Sequence, residues 1–96
     1  MIFRTFKDIS GNMLRVGDYV VFQQMEGIHT GMTFGVVEHI TSSDYCDVQW
    51  YHFQLEEFET ATLIRHTDLI MVTLTQVPEK LRPFLEMIRD EVFLSL

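Results

Sequence analysis

Residues 14–22 read LRVGDYVVF, and residues 33–40 read TFGVVEHI. Gly-Asp is turn chemistry: glycine accepts dihedrals that other residues avoid, and aspartate bonds nearby backbone amides. The β-branched and aromatic run that follows each glycine is strand chemistry. Short strands punctuated by glycine describe a small, strongly bent β-structure rather than a helical bundle.

Towards the N-terminus, SGN (10–12) joins GD (17–18) as a second turn signal. Short β segments are expected around them, with Phe3, Phe6, Ile9, Leu14 and Val16 as core candidates. In the other direction, QQMEGIHTGMTFG (23–35) holds three glycines in thirteen residues and reads as a mobile loop or a long irregular hairpin. Strand-like runs follow at YCDVQWYHF (45–53) and TATLIRH (60–66). The period of two places Cys46, Val48 and Trp50 on one face, taken as inward, and Tyr45, Asp47, Gln49 and Tyr51 on the other. HTDL (66–69) is a short turn into a closing strand at 70–74. Turns spaced in this way predict a small barrel of about five strands over residues 1–77, N-terminal hairpin included.

The period changes after Pro78. Leu81, Leu85, Ile88, Val92 and Leu96 recur every three or four residues, with Phe84 and Met87 widening the stripe, which predicts an amphipathic helix within 78–96. Pro83 fits only in a first turn, so either the helix starts near residue 82 or a short turn over 78–82 precedes it. The stripe packs on the barrel or on a second subunit. With 47% hydrophobic residues and eight Phe, the chain carries more large apolar side chains than a small domain hides. A homo-oligomer is therefore expected, with Phe84, Met87, Ile88, Val92, Phe93 and Leu96 as its interface.

Charge is distributed unevenly. Residues 16–64 contain eight acids and no Lys or Arg, within a net charge of −7 for the chain. Phosphate backbones are bound by clustered cations, so nucleic-acid binding through this region is disfavoured. No apolar run approaches the roughly 18 residues of a membrane span. The N-terminus lacks an uninterrupted apolar stretch of secretory length. A single cysteine excludes an internal disulfide and fits the cytoplasm.

The segments VGDYVVF, FGVVEHI, DVQWYHF and HTDLIMV together resemble the SH3-like barrels of KOW, Tudor-like and CarD-type interaction domains, over about residues 14–73. The matching positions are Val16, Gly17, Asp18, Val20, Gly35, Val36, Val37, Val48, Trp50, Asp68 and Leu69. The resemblance implies an SH3-like barrel; the CarD-type domain, which binds protein, is the nearer analogy because the basic residues of the nucleic-acid binders are missing here.

The remaining constellations have structural readings beside chemical ones. His39, Cys46 and His52 on neighbouring strands are weak metal candidates, since paired ligands two to four residues apart are lacking. Cys46 beside Asp44 and Asp47 is a poor nucleophile and a natural small core residue. Glu56, Glu57 and Glu59 read as a solvated loop that also forms an acidic rim for a basic partner. Tyr19, Phe22, Phe34, Trp50, Tyr51 and Phe53 would make a cage for a methylated cation only if three rings were exposed at one end; otherwise they fill the core. The expected protein is a non-catalytic interaction or assembly module without cofactors, a small phage or bacterial accessory protein whose partner is itself or another protein. An accessory factor docking on transcription or translation machinery, touching nucleic acid through Arg4, Lys7 and Arg15, is the alternative; a metal protein or enzyme comes last.

Overall fold

The computed structural model describes residues 6–26 and 29–96; Phe3 and Arg4 lie outside them. The chain is mainly β. Strands β1 (Tyr19–Glu26), β2 (His29–Ile40), β3 (Tyr45–His52), β4 (Glu57–Arg65) and β5 (Leu69–Met71) form one antiparallel sheet in the order β4-β3-β2-β1-β5. Helix α1 (Arg82–Leu94) follows three single 3₁₀ turns.

The sheet is open. No ladder joins β4 to β5 among the described residues, which corrects the closed barrel to a bent sheet. β5 is too short to reach round, pairing only with Val20–Phe22. Its far side is instead covered by the N-terminal hairpin. Ile9 donates its amide to the Leu69 carbonyl, and Met71 donates to Asp8 Oδ2 at 2.7 Å.

Bending comes from two bulges that meet at Asp47. Glu38 is the extra residue of β2 between the pairs Val37↔Val48 and His39↔Asp47. Thr62 and Leu63 of β4 together oppose Asp47, and Leu63 takes φ 54° while donating its amide to Asp47 Oδ1. Adjacent bulges increase local twist and coil the sheet. Gly35 sits inside the bend, where a Cβ would fall 2.5 Å from Val48 Cγ1.

Both faces are covered, as the near-continuous apolar run of β1 requires. On one face Val20, Phe22, Val37, Cys46, Val48, Trp50 and Leu69 pack with Phe6 and Leu14 of the hairpin. On the other, Tyr19 and Val36 pack with Val77, Leu85, Ile88 and Val92. The helix is therefore a lid on its own sheet. It starts at Arg82 with Pro83 in the first turn, after a 3₁₀ turn at Glu79–Leu81.

Two local expectations need correction. Ile9, proposed for the core, is exposed, because the hairpin turn at 9–12 points it outward while Phe6 and Leu14 carry the contact. Of the two readings of the glycine-rich 23–35 segment, the long hairpin holds and the loop does not, and the hairpin is regular rather than irregular: β1 and β2 stay in register from Tyr19↔Val36 to Glu26↔His29. The glycine cost per residue is about 1 kcal/mol or less, and ladder pairing outweighs it. No helix among the described residues is long and apolar enough to cross a membrane.

Candidate interaction surface

At the end of β3, alternation places Tyr51 on the helix side of the sheet, opposite Phe58 of β4. The first helical turn brings Phe84 onto Tyr51, ring over ring at 3.9 Å and 5°. Phe53 meets both rings edge-on, at 5.3 Å and 5.5 Å, and Phe58 lies 4.9 Å from Tyr51. Stacked and edge-to-face pairs are the preferred aromatic arrangements. Four rings thus form an ordered platform. It is not buried: Phe53, Leu55 and Phe58 are 38%, 50% and 44% exposed.

The platform is not a cage. Tyr19, Phe22 and Trp50 are buried in the two cores, and Phe34 packs against the helix-side cluster. The cation position over Phe53 is occupied by the chain's own Lys80, at 5.0 Å. Phe58 is hidden in sequence because EEFE looks like an acidic turn, and Lys80 because nothing local ties it to Phe53, twenty-seven residues away. The signal that finds Phe58 is the alternation Glu57-Phe58-Glu59-Thr60-Ala61.

The proposed helical interface divides. Ile88 and Val92 are buried under the lid and present no free surface. Phe84 belongs to the aromatic platform. Met87 is exposed, as is Leu96, which lies beyond the helix end. Phe93 is part-exposed, with the tip of its ring against Gly17 and the Arg89 guanidinium over the ring. The Arg89 guanidinium sits between the Tyr19 and Phe93 rings at 5.2 and 5.1 Å.

The three acids of the rim also divide. Only Glu56 lies in a turn, with φ 52°; Glu57 and Glu59 are in β4 rather than a solvated loop. Glu59 borders a cleft of about 530 Å³ with Phe22, Gln23, Gln24, Trp50 and Ile64. Among the described residues no Lys or Arg lies within 4.0 Å of a carboxylate; the close carboxylate contacts are those of His39 with Glu38 and Asp47, and of His66 with Asp44.

The metal candidates do not converge. His39 is exposed beside Asp47, and Cys46 is buried in the core. His52 lies six residues further along β3, about 20 Å away, where its Nδ1 accepts the Leu55 amide and closes the turn. Among the described residues no group of three His, Cys, Asp or Glu could hold an ion. Burial, and then the Asp47 charge, push the Cys46 thiol up to about 12, far from a reactive thiolate.

No curated protein and no solved structure matched the chain. Residues 6–46 match the family model described as Domain of unknown function (DUF7205). The match takes in the N-terminal hairpin, β1, β2 and the start of β3, and leaves out the aromatic platform, the β4 edge and the helix.

Proposed function

We propose that this chain is a non-catalytic protein-interaction and assembly module, built on an SH3-like sheet and working in the cytoplasm, that self-associates through its aromatic platform. The carrying observation is that Phe53 and Phe58, packed on the Tyr51–Phe84 stack, remain exposed, with exposed Leu55 in the turn between them. Rings already packed on one another lose little side-chain freedom on association, which is the preorganisation that favours binding. The rim carries both signs, Lys80 over Phe53 and Glu56 in the same turn. A two-fold axis through such a patch pairs opposite charges across it.

Strand order and the Gly17-Asp18 opening of β1 support the SH3-like reading; a single buried thiol supports a reducing compartment. The self-association claim is tested by sedimentation of wild type and of the double variant Phe53→Ser, Leu55→Ser. Wild type is expected to sediment as an oligomer and the variant as a monomer with a cooperative melt. A wild type that stays monomeric throughout the micromolar range refutes it.

A further inference from the structure

The two edges of the sheet are treated differently. β5 is covered by the N-terminal hairpin, through Ile9 and Asp8. Among the described residues no strand pairs with the outer side of β4, which borders the cleft shared with Phe22, Gln23 and Gln24. An edge strand left this way presents outward N–H and C=O groups on which another strand can build. Its two halves are not equivalent. From His52↔Glu57 to Val48↔Ala61 it pairs with β3 residue for residue, and then Thr62 and left-handed Leu63 break the stride. Bulges twist an edge away from further pairing, so the straight stretch Glu57–Ala61 is the one that accepts a strand.

Register assigns its side chains. Glu57, Glu59 and Ala61 share the face of His52, Trp50 and Val48; Phe58 and Thr60 share that of Tyr51 and Gln49. A second copy laid antiparallel along the whole straight stretch sets Glu59 against its own counterpart, and directly opposed like charges destabilise a sheet. Neither Glu57 nor Glu59 has a cation within 4.0 Å among the described residues. The chain itself supplies no Lys or Arg from residue 16 to 64.

The geometry points to β4 as a docking edge for an extended basic segment of another protein, added as a sixth strand. Lys or Arg at two positions two residues apart face Glu57 and Glu59, and the residue between them is apolar and faces Phe58. Main-chain hydrogen bonds hold the strand, and the paired charges select it. This inference rests on the interaction-module reading; it uses the backbone edge and the Glu57/Glu59 face of β4, and shares only Phe58 with the self-association platform.

The test is titration of the isotope-labelled full chain with a capped peptide, Thr-Lys-Val-Lys-Val-Thr, followed by amide shifts and amide hydrogen exchange. Exchange is expected to slow within residues 57–61. Affinity should fall about tenfold or more in Glu57→Lys, Glu59→Lys, and binding should vanish when alternate peptide amides are N-methylated. Glu57→Gln, Glu59→Gln provides a milder variant if the reversed charges prevent folding. Unchanged 57–61 amides at millimolar peptide, equal binding by the charge variants, or shifts confined to the 53–55 turn would overturn the proposal. The Phe53→Ser, Leu55→Ser protein should bind the peptide as wild type does. Loss of self-association and loss of strand docking are thereby read separately.

Discussion

Replacing Asp8 with alanine should untie the hairpin from β5. The side chain is 3% exposed, and its carboxylate accepts four hydrogen bonds. Oδ1 takes the amides of Ser10 at 3.0 Å and Asn12 at 2.7 Å; Oδ2 takes the Asn12 side chain at 3.3 Å and the Met71 amide at 2.7 Å. Ser10 and Asn12 lie in an exposed turn, where water replaces the lost partner cheaply. Met71 lies beneath the hairpin, on the edge of β5. A hydrogen bond to a charged group contributes about 1.5–3 kcal/mol, and an orphaned buried donor costs about 1–3 kcal/mol. Met71 therefore sets a loss of about 2 kcal/mol and the turn adds about 1, so Asp8→Ala should cost about 3 kcal/mol. Asp8→Asn keeps one acceptor but turns an NH₂ towards a donor, for a loss of about 2 kcal/mol. Burial is the largest single influence on this carboxyl and raises it. The bonds from Met71, Asn12 and Ser10 together outweigh burial and hold it below its ordinary 3.8. A depressed acid stabilises the fold fully above its unfolded value, and that contribution disappears as pH falls through the folded value. Urea denaturation at neutral pH should show both deficits, and the gap between wild type and Asp8→Asn should close below 3.8. An Asp8→Asn protein within about 0.5 kcal/mol of wild type, or a gap that persists into strong acid, refutes this account.

Gly17 has φ +98°, and a Cβ there would fall 2.5 Å from Phe93 Cζ; Gly17→Ala should cost about 2–3 kcal/mol. In a Phe93→Ala background the cost should drop to the dihedral part, and an undiminished cost would remove the ring from the explanation. Ile88→Asp should prevent folding instead of yielding a monomer, because burying an unpaired carboxylate under the lid costs several kcal/mol; a folded variant with the wild-type melting temperature contradicts the lid. Cys46, with its thiol pushed up to about 12, should resist iodoacetamide in the native protein and react only in denaturant. Rapid native labelling would disprove its burial.

The legible parts of this fold are those decided by neighbours in sequence. Alternation in DVQWYH, the Gly17-Asp18 turn, the HTDL turn and the 81–92 stripe each declare an element by local period or turn chemistry, and each is present. Closure of the sheet was not legible, because it depends on whether β4 and β5 meet across the whole chain. The span of β5 and the bonds of Asp8 to Met71, sixty-three residues away, decide that. Asp8 looks in sequence like one more surface acid. The helical stripe shows which residues are buried and leaves open what buries them; Tyr19 and Val36 of its own sheet do so. On the interaction surface, Phe53 was visible as an aromatic, but the platform needs Phe84 from the helix and Phe58 from a strand hidden in acidic sequence.

A sheet with one sealed edge and one open edge must prevent its copies from polymerising through the open side. Here Leu63 bends the second half of β4, and Glu57 and Glu59 charge the first. Charge discriminates where a steric cover does not: it repels a copy of itself while attracting a strand of opposite sign. The same pair of carboxylates therefore performs both tasks, and both weaken together as salt shortens the Debye length from about 10 Å at 0.1 M to about 3 Å at 1 M. Rising salt should release a basic strand and relax the barrier to edge-to-edge pairing. Association through the aromatic platform, whose core is apolar and whose exposed rim pairs contribute little, should largely persist under the same change. Unequal responses to a single variable thus separate the two modes of association.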